Sequence, residues 1–553
     1  MKHTKKEIIG LALLLFLLLS VNLYTFFFTD TLFDGTIDRL WYVLVTALGY
    51  VAGLLLLSRR AFFIIAGFTQ MLVLPIELSS LYLNGQPVSM PFMHWILSTN
   101  RVEAGELLSS AWWFVLAVIA VWCLYGWLVT LLPSESRSDR QHRWIAWCLP
   151  FVMLIAILLM HTSYLNKDYT APNKRVYAQI YAWSLGMHVG NVFPYDIYLQ
   201  TYRAVKHQRE IDGIASLSDY RFGISPCAQE DSAFYVLVIG EAARYANFSL
   251  NGTYERATNP RLSRRSNLLL YSHAYSEANA TDLSLPLMLT RATAEEPMVA
   301  YREKTVVGAF QEAGLQTAWL SAESNPIRYL QHVLPTIDTT WIAPDEVLDE
   351  VLFEPFAHLI QTSATTRLIL LQTKGSHLNY QDRYPESFAV FKPCLKAGNT
   401  NGAFDKDLMI NTYDNTILYT DYILDSLIQL LAQTQRCACL IYMPDHGENL
   451  CDDERRLWVH GSYDGSIWEY HVPLIVWYSD QFREKYPEKV RALEANRTKQ
   501  VSSQVLFHTL CDLGNLREVI DYHYSLLSDS LEEVSPVVVL NGKGETLPIN
   551  IGQ

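Results

Sequence analysis

The chain has 553 residues, of which 50% are hydrophobic and 18% are charged, and its formal net charge is −13. That length exceeds one ordinary domain. The acidic balance argues against a nucleic-acid-binding surface, because such surfaces are basic. Long apolar stretches occur only before residue 165, and most of the negative charge lies beyond them. The composition therefore predicts a membrane region followed by an acidic, water-exposed region.

Five stretches near the N-terminus are apolar and long enough to cross a bilayer, which takes about 20 residues each. They are residues 8–28, 40–57, 61–83, 111–133 and 144–162. We interpret the first as a retained helix rather than a signal peptide, because its apolar core is long and four further spans follow. The membrane region is therefore expected to contain five transmembrane helices.

The basic residues near these spans predict their orientation, because Lys and Arg collect on the cytoplasmic side. They fall before span one, between spans two and three, and between spans four and five: Lys2, Lys5, Lys6, Arg59, Arg60, Arg137, Arg140 and Arg143. All three groups share one side if the N-terminus is cytoplasmic. An odd number of spans then exports everything after residue 163.

Three regions follow from this topology. Residues 1–165 are expected to form the transmembrane domain, and residues 228–553 the exported catalytic domain. Residues 166–227 connect them and include the amphipathic stretch "VYAQIYAWSL". An interfacial helix and an ordinary linker are both open for this connector.

The exported region alternates between short β-rich runs and helical stretches. The runs are "AFYVLVIG", "TAWLSA", "RLILLQT", "ACLIYM" and "VPLIVWY". Continuous apolar strands separated by helices are typical of an α/β domain with a mostly parallel sheet. Ligands of such sheets bind beyond the carboxyl ends of the strands.

Possible metal ligands follow three of these strands. Glu241 follows the first, His377 the third, and Asp445 with His446 the fourth. A single Asp-His pair at a strand end is more often a hydrogen-bonded turn, but three such ends favour a shared site. Carboxylate and imidazole ligands suit zinc, and a side-chain hydroxyl can complete the set and act as a nucleophile.

Several blocks of the sequence resemble one known family. They are "VIGEAARYANFSLNGTYERATNPRL", "ANATDLSLPLMLTRA", "GSHLNYQDRYP", "MPDHGENL" and "HGSYDGSIWEYHVPLIVW". In this order they resemble the phosphoethanolamine transferases of Gram-negative inner membranes, which include the lipid A-modifying enzymes linked to polymyxin resistance. The resemblance implies five transmembrane helices and a periplasmic domain of the alkaline phosphatase and sulfatase type.

The resemblance also implies roles for individual residues. It makes Thr281 the nucleophile and a metal ligand, together with the ligands Glu241, Asp445 and His446. One zinc ion would be tightly bound, with room for a second during catalysis.

Further residues are implied around the substrate. His377 and His460 would act in catalysis and substrate binding or hold a second zinc, and Glu448 would lie beside them. Thr99 and Glu103, in a loop outside the membrane, would bind the ethanolamine head group. Trp95 stands where the family often has Asn.

The expected reaction transfers phosphoethanolamine from phosphatidylethanolamine through a covalent phosphothreonine at Thr281. The acceptor is lipid A, a core sugar or another envelope glycan, and the chain is expected to be a monomer among membrane lipids. A phosphoglycerol transferase, a membrane-tethered phosphodiesterase or sulfatase, and an inactive scaffold are the alternatives. A sulfatase of this fold would need a Cys or Ser precursor of formylglycine in the nucleophile block, and Thr281 cannot serve as one.

Cysteine positions differ from those of the lipid A enzymes, which have a Cys on each side of the nucleophile block. The exported part has Cys227, Cys394, Cys437, Cys439, Cys451 and Cys511. Disulfides among them are compatible with an oxidising compartment, and the sequence leaves their pairing open.

Overall fold

The computed structural model of the chain divides into two compact units, residues 1–205 and 206–553. It describes residues 5–28, 59–84, 87–98, 112–132, 192–213, 219–226, 232–344, 347–396, 405–463 and 465–549, with a few isolated residues between 39 and 51. The domain boundaries drawn from the sequence at residues 165 and 228 remain predictions.

The first unit is helical where it is described. Its helices are α1 (Lys5–Phe28), α2 (Arg59–Asn84), α3 (Met90–Ser98) and α4 (Trp112–Thr130). Two segments, Ile8–Phe28 and Arg60–Leu81, are long and apolar enough to cross a membrane, with mean hydropathies of 2.3 and 1.8. A shorter apolar segment, Phe114–Thr130, lies in the fourth predicted span. The predicted span 144–162 and two thirds of 40–57 lie outside the described residues.

One helix of the predicted connector is described, α5 (Tyr195–Asp212). It buries Ile197 and Ala204 and exposes Tyr198 and Tyr202, the latter by 67%. The helix is thus amphipathic, with aromatic side chains on its open face. The stretch "VYAQIYAWSL" lies outside the described residues.

The second unit is built on a seven-stranded sheet in the order β2-β10-β7-β1-β6-β4-β5. Its strands are β1 (Ala233–Gly240), β2 (Leu268–Tyr271), β4 (Gln316–Ser321), β5 (Thr339–Ile342), β6 (Arg367–Gln372), β7 (Cys437–Pro444) and β10 (Leu474–Tyr478). Three two-stranded sheets use β3 (His273–Tyr275), β8 (Asn449–Leu450), β9 (Trp458–Val459), β11 (Gln500–Ser502), β12 (Val537–Leu540) and β13 (Thr546–Ile549).

The central strands are largely apolar because both faces of the sheet are covered. Along β1, Tyr235, Leu237 and Ile239 pack into one core and Phe234 and Val236 into the other. Alternate side chains of a strand point to opposite faces, so a strand between two layers must be apolar at every position. This explains the uninterrupted apolar runs of β1, β6 and β7.

Helices cover the two faces of the sheet. They are α6 (Thr281–Leu289), α7 (Val306–Glu312), α8 (Arg328–Val333), α9 (Phe353–Thr362), α10 (Lys406–Gln433), α11 (Ile467–Tyr470), α12 (Asp480–Lys485), α13 (Pro487–Asn496) and α14 (Val505–Leu513). The longest, α10, begins after Asp405, whose side chain accepts hydrogen bonds from the backbone N–H groups of Asp407 and Leu408. Such an N-cap satisfies donors that the first turn leaves open.

The strands from β7 to β5 are parallel, as the sequence predicts, but β10 is antiparallel to both β7 and β2. The sequence predicts a mostly parallel sheet and assigns no direction to the run "VPLIVWY". Strand direction depends on the connection that precedes it, and the apolar pattern of a buried strand is the same in either direction.

None of the cysteines described in the second unit forms a disulfide. Cys437, Cys439 and Cys511 are buried thiols, and Cys394 and Cys451 are partly exposed. Cys227 lies outside the described residues.

Candidate active site

The carboxyl ends of three neighbouring strands supply the candidate site. Strand β1 lies between β6 and β7, and Glu241 directly follows β1 while Asp445 and His446 directly follow β7. One ligand atom from each of these three residues lies within 4.8 Å of the other two. The structure therefore brings Glu241 together with two residues that lie 204 and 205 positions later in the sequence.

The loop after β6 approaches this edge closely. Ser376 donates a backbone hydrogen bond to the Glu241 carbonyl at 2.9 Å. A Cβ atom at Gly375 would lie 2.7 Å from the same oxygen, and Gly375 has a φ of +46°. Glycine is therefore needed at this position for both space and conformation.

Thr281 is the first residue of α6, and its hydroxyl points at the carboxylate cluster. Its Oγ1 lies 3.3 Å from Glu241 Oε2 and 3.3 Å from His446 Nε2. The N-terminus of a helix favours negative charge, because the peptide dipoles and open N–H groups point toward it. This position suits a hydroxyl that must gain negative character.

Two carboxylate oxygens in the cluster lack a hydrogen-bond partner. Asp445 Oδ1 accepts from the backbone N–H groups of Ala242 and His446. Asp445 Oδ2 and Glu241 Oε1 are buried and accept no hydrogen bond, and each lies 3.4 Å from His446 Nε2. Uncompensated buried polar atoms are costly. A cation bound between them would remove this cost, and the two oxygens, His446 Nε2 and the Thr281 hydroxyl form a donor set that suits four-coordinate zinc.

The pKa values show how strongly these groups interact. Burial, reinforced by the charge of Asp445, raises the pKa of Glu241 to about 8. Burial opposes a charged His446, but Asp445 and Glu241 outweigh it and raise the pKa of His446 to about 10. Both shifts favour the binding of positive charge, a proton or a metal ion, at this cluster.

A second group adjoins the first. His446, Glu448 and His460 also have ligand atoms within 4.8 Å of one another, and the rings of His446 and His460 lie 4.0 Å apart. Here the carboxylate is satisfied, because Glu448 Oε1 accepts from the Tyr380 hydroxyl and Oε2 lies 2.8 Å from His460 Nδ1. Burial raises the pKa of Glu448 to about 8.

His377 is half-buried in the loop after β6. Burial lowers its pKa well below the usual value, and the positive charges of Arg383 and His460 act in the same direction. These surroundings favour the neutral form of the His377 ring. Thr99 and Glu103 lie outside the described residues, and Trp95 belongs to α3.

Three residues of the site were not predicted from the sequence. Arg244, in the loop after β1, donates to Asp452 Oδ2 at 2.7 Å and to the Glu448 carbonyl at 3.3 Å. Tyr380 holds Glu448, and Arg383 contacts His377. All three fall within the family-like blocks "GEAAR" and "GSHLNYQDRYP", which were the available signal.

Known proteins share these features. The sulfatase family profile matches residues 233–516. The phosphoethanolamine transferase EptA of Escherichia coli K12 is 29% identical over 422 residues, covering 72% of this chain and 71% of that protein.

Solved structures agree in fold. The integral membrane lipooligosaccharide phosphoethanolamine transferase A of Neisseria meningitidis superposes with a TM-score of 0.71 at 19% identity, over 93% of this chain and 98% of that one. The C-terminal periplasmic domain of EptC from Escherichia coli, crystallised with zinc, gives 0.52 at 23% identity, over 59% of this chain and 95% of that one. The expected alkaline phosphatase and sulfatase type is thus confirmed for the second unit. With just over half of its length matched, the chain belongs to the sulfatase family, and its resemblance to the phosphoethanolamine transferases is confirmed.

Proposed function

We propose that this protein transfers phosphoethanolamine from phosphatidylethanolamine to lipid A or another envelope glycan. The observation that carries the proposal is the Thr281 hydroxyl, which lies 3.3 Å from both Glu241 Oε2 and His446 Nε2 at the start of a helix. The names of its relatives and the order of its motifs support the choice of the transferred group.

The reaction has two displacements at phosphorus. In the first, Thr281 Oγ1 bonds to phosphorus, the bond to the diacylglycerol oxygen breaks, and the threonine proton passes to that oxygen. In the second, an acceptor oxygen bonds to phosphorus, the bond to Thr281 breaks, and the acceptor proton returns to the threonine. His460 is suited to carry these protons, because the contact between its Nδ1 and Glu448 Oε2 fixes the orientation of its ring.

Zinc held by Glu241, Asp445, His446 and Thr281 would make the threonine hydroxyl more acidic and stabilise the charge on the phosphoryl oxygens. The unpartnered oxygens of Glu241 and Asp445 support this assignment. One tightly bound ion is expected, and counting zinc during turnover would reveal a second.

In this proposal the membrane region keeps the candidate site close to the donor lipid, phosphatidylethanolamine. Five spans with a cytoplasmic N-terminus would export the second unit to the periplasm of a bacterial inner membrane, and Thr99 with Glu103 would hold the ethanolamine head group. A topology reporter fused after residue 165 should be active outside the cytoplasm and one fused near residue 138 inside it. The reverse pattern would refute the topology.

The activity is tested with full-length enzyme in detergent, phosphatidylethanolamine labelled in its ethanolamine group, and lipid A. Thr281→Ala should lower transfer by at least about a thousandfold, because the nucleophile is lost, whereas Thr281→Ser should retain part of the rate. The matched control is Thr293→Ala, which removes a hydroxyl that only caps a turn at Glu296. Transfer by Thr281→Ala at the wild-type rate would refute the covalent mechanism.

A further inference from the structure

Glu469 is a fully buried carboxylate that belongs to neither of the two groups of possible metal ligands. It lies in the short helix α11, and its Oε2 accepts from the Ser466 backbone N–H at 3.1 Å, which is the usual capping-box contact. Two further donors lie outside the helix. They are the Ser462 backbone N–H, 2.8 Å from Oε1, and the Ser462 hydroxyl, which donates to Oε2. Glu469 therefore holds Ser462 as well as capping α11.

Ser462 links the segments that carry two residues of the candidate site. It is the second residue after His460, the proton carrier of the proposed reaction. Its carbonyl accepts from Asn279 Nδ2 at 2.9 Å and from the Gly542 backbone N–H at 2.9 Å. Asn279 is fully buried and lies two residues before Thr281. The residue that the carboxylate holds thus joins the nucleophile segment to the segment that follows His460.

The backbone of α11 is anchored to the third part of the site. The Glu469 carbonyl accepts from the Gly447 N–H at 2.6 Å, and the Trp468 carbonyl accepts from the Glu448 N–H at 3.0 Å. Gly447 directly follows His446. A Cβ atom at Gly447 would lie 2.1 Å from the Trp468 carbonyl oxygen, so the two backbones are in close contact. The helix is therefore fixed against the loop after β7, and the carboxylate acts from a fixed base.

The contacts of Glu469 need a hydrogen-bond acceptor at both carboxylate oxygens. Oε1 accepts from the Ser462 N–H and Oε2 from the Ser466 N–H. Burial raises the pKa of Glu469, and the hydrogen bonds from Ser462, Ser466 and Asn279 act against burial. A Gln side chain has the same size, but whichever way its amide is turned, the NH2 group faces a backbone N–H. Glu469→Gln therefore breaks these contacts without leaving a cavity.

We propose that Glu469 is a positioning residue for the transfer reaction and that it sets the placement of His460 relative to Thr281 through Ser462 and Asn279. This placement matters because His460 must meet the proton of Thr281 in the first displacement and the proton of the acceptor in the second. The inference rests on the proposed function, because it needs His460 to act in transfer.

The positioning role is tested with full-length enzyme in detergent. The matched control is Glu312→Gln, because the Glu312 carboxylate also accepts three backbone hydrogen bonds, from Phe222, Gly223 and Ile224. Glu469→Gln should lower kcat by about a hundredfold, the scale of a small misplacement of a reacting group. Its KM for phosphatidylethanolamine and its zinc per chain should equal the wild-type values, and Glu312→Gln should transfer at the wild-type rate. A wild-type kcat in Glu469→Gln, or an equal loss in the control, would overturn the positioning role.

A double-mutant cycle tests whether the loss depends on His460. In the His460→Ala background, Glu469→Gln should lower single-turnover transfer by less than about threefold, because the ring that it positions is gone. The same loss in both backgrounds would show that Glu469 only supports the fold.

Hydrogen exchange gives a readout that does not depend on the rate of transfer. Peptides covering residues 458–463 should exchange faster in Glu469→Gln than in the wild type, because the Ser462 N–H loses its acceptor. Unchanged exchange in these peptides would overturn the positioning role. Wild-type enzyme without transfer would instead refute the proposed function.

Discussion

Two clusters of possible metal ligands share His446: one contains Glu241 and Asp445, and the other contains Glu448 and His460. The carboxylate oxygens of the two clusters differ in their hydrogen bonding. Glu241 and Asp445 each keep one buried oxygen that accepts no hydrogen bond and lies 3.4 Å from His446 Nε2, whereas both oxygens of Glu448 have hydrogen-bond partners, in Tyr380 and His460. An unpartnered buried oxygen indicates a missing cation, and a satisfied carboxylate indicates a support for its neighbour. Residue types alone would not separate these roles, because both groups contain carboxylates and histidine.

The largest expected effect on transfer comes from removing a charge from the cluster that contains Glu241 and Asp445. Glu241→Gln keeps the size of the side chain and removes its charge, so zinc should be lost and transfer should fall by at least about a hundredfold. Zinc per chain after gel filtration and the transfer rate measure this. Wild-type zinc content in Glu241→Gln would contradict the metal assignment.

Glu448→Gln is the matched change in the other cluster, because it makes the same substitution at a carboxylate that is also buried. It should keep its zinc and lower transfer by about 10- to 100-fold, the usual cost of removing a residue that orients a functional histidine. Tyr380→Phe should cost less, because Glu448 still holds His460. Loss of zinc from Glu448→Gln would show that the two groups act as one metal site.

Glu277 is a buried carboxyl outside the candidate metal site, so it shows what burial alone does to a pKa. Both oxygens of Glu277 accept hydrogen bonds, from Ser502 and from the Ala294 backbone, and burial still raises its pKa from 4.5 to about 7. Between these pH values the folded chain holds a proton that the unfolded chain has released, so the stability contribution is greatest at low pH and is lost as pH rises.

The expected slope is at most about 1.4 kcal/mol per pH unit in the free energy of unfolding. Urea unfolding of the full chain in detergent, followed by tryptophan fluorescence from pH 5 to pH 8, measures it. In Glu277→Gln the side chain stays neutral, so this part of the pH dependence should vanish. Identical pH dependence in the two proteins would contradict the assignment.

The central strands were predictable because burial on both faces leaves a continuous apolar run. The run "AFYVLVIG" coincides with β1, and the runs for β6 and β7 agree to within one residue at each end. Strands β2 and β5 were missed, because they are short and only partly buried. The direction of β10 could not be predicted, since direction leaves no mark on an apolar pattern.

The candidate site was predictable where possible metal ligands directly follow an apolar strand. Glu241, Asp445 and His446 stand out because charged residues interrupt apolar runs. The supporting residues do not stand out, because their partners are distant: Tyr380 and Glu448 are 68 positions apart, and Arg244 and Asp452 are 208 apart. Only the folded chain shows these pairs.

The most direct test of the account is the covalent state of Thr281. Full-length enzyme would be incubated with phosphatidylethanolamine, without an acceptor, and digested for peptide mass spectrometry. The account predicts one added phosphoethanolamine group on the peptide containing Thr281, located on that residue, absent from Thr281→Ala, and lost when lipid A is added. An unmodified peptide during active transfer, or a phosphoglycerol group in its place, would contradict it.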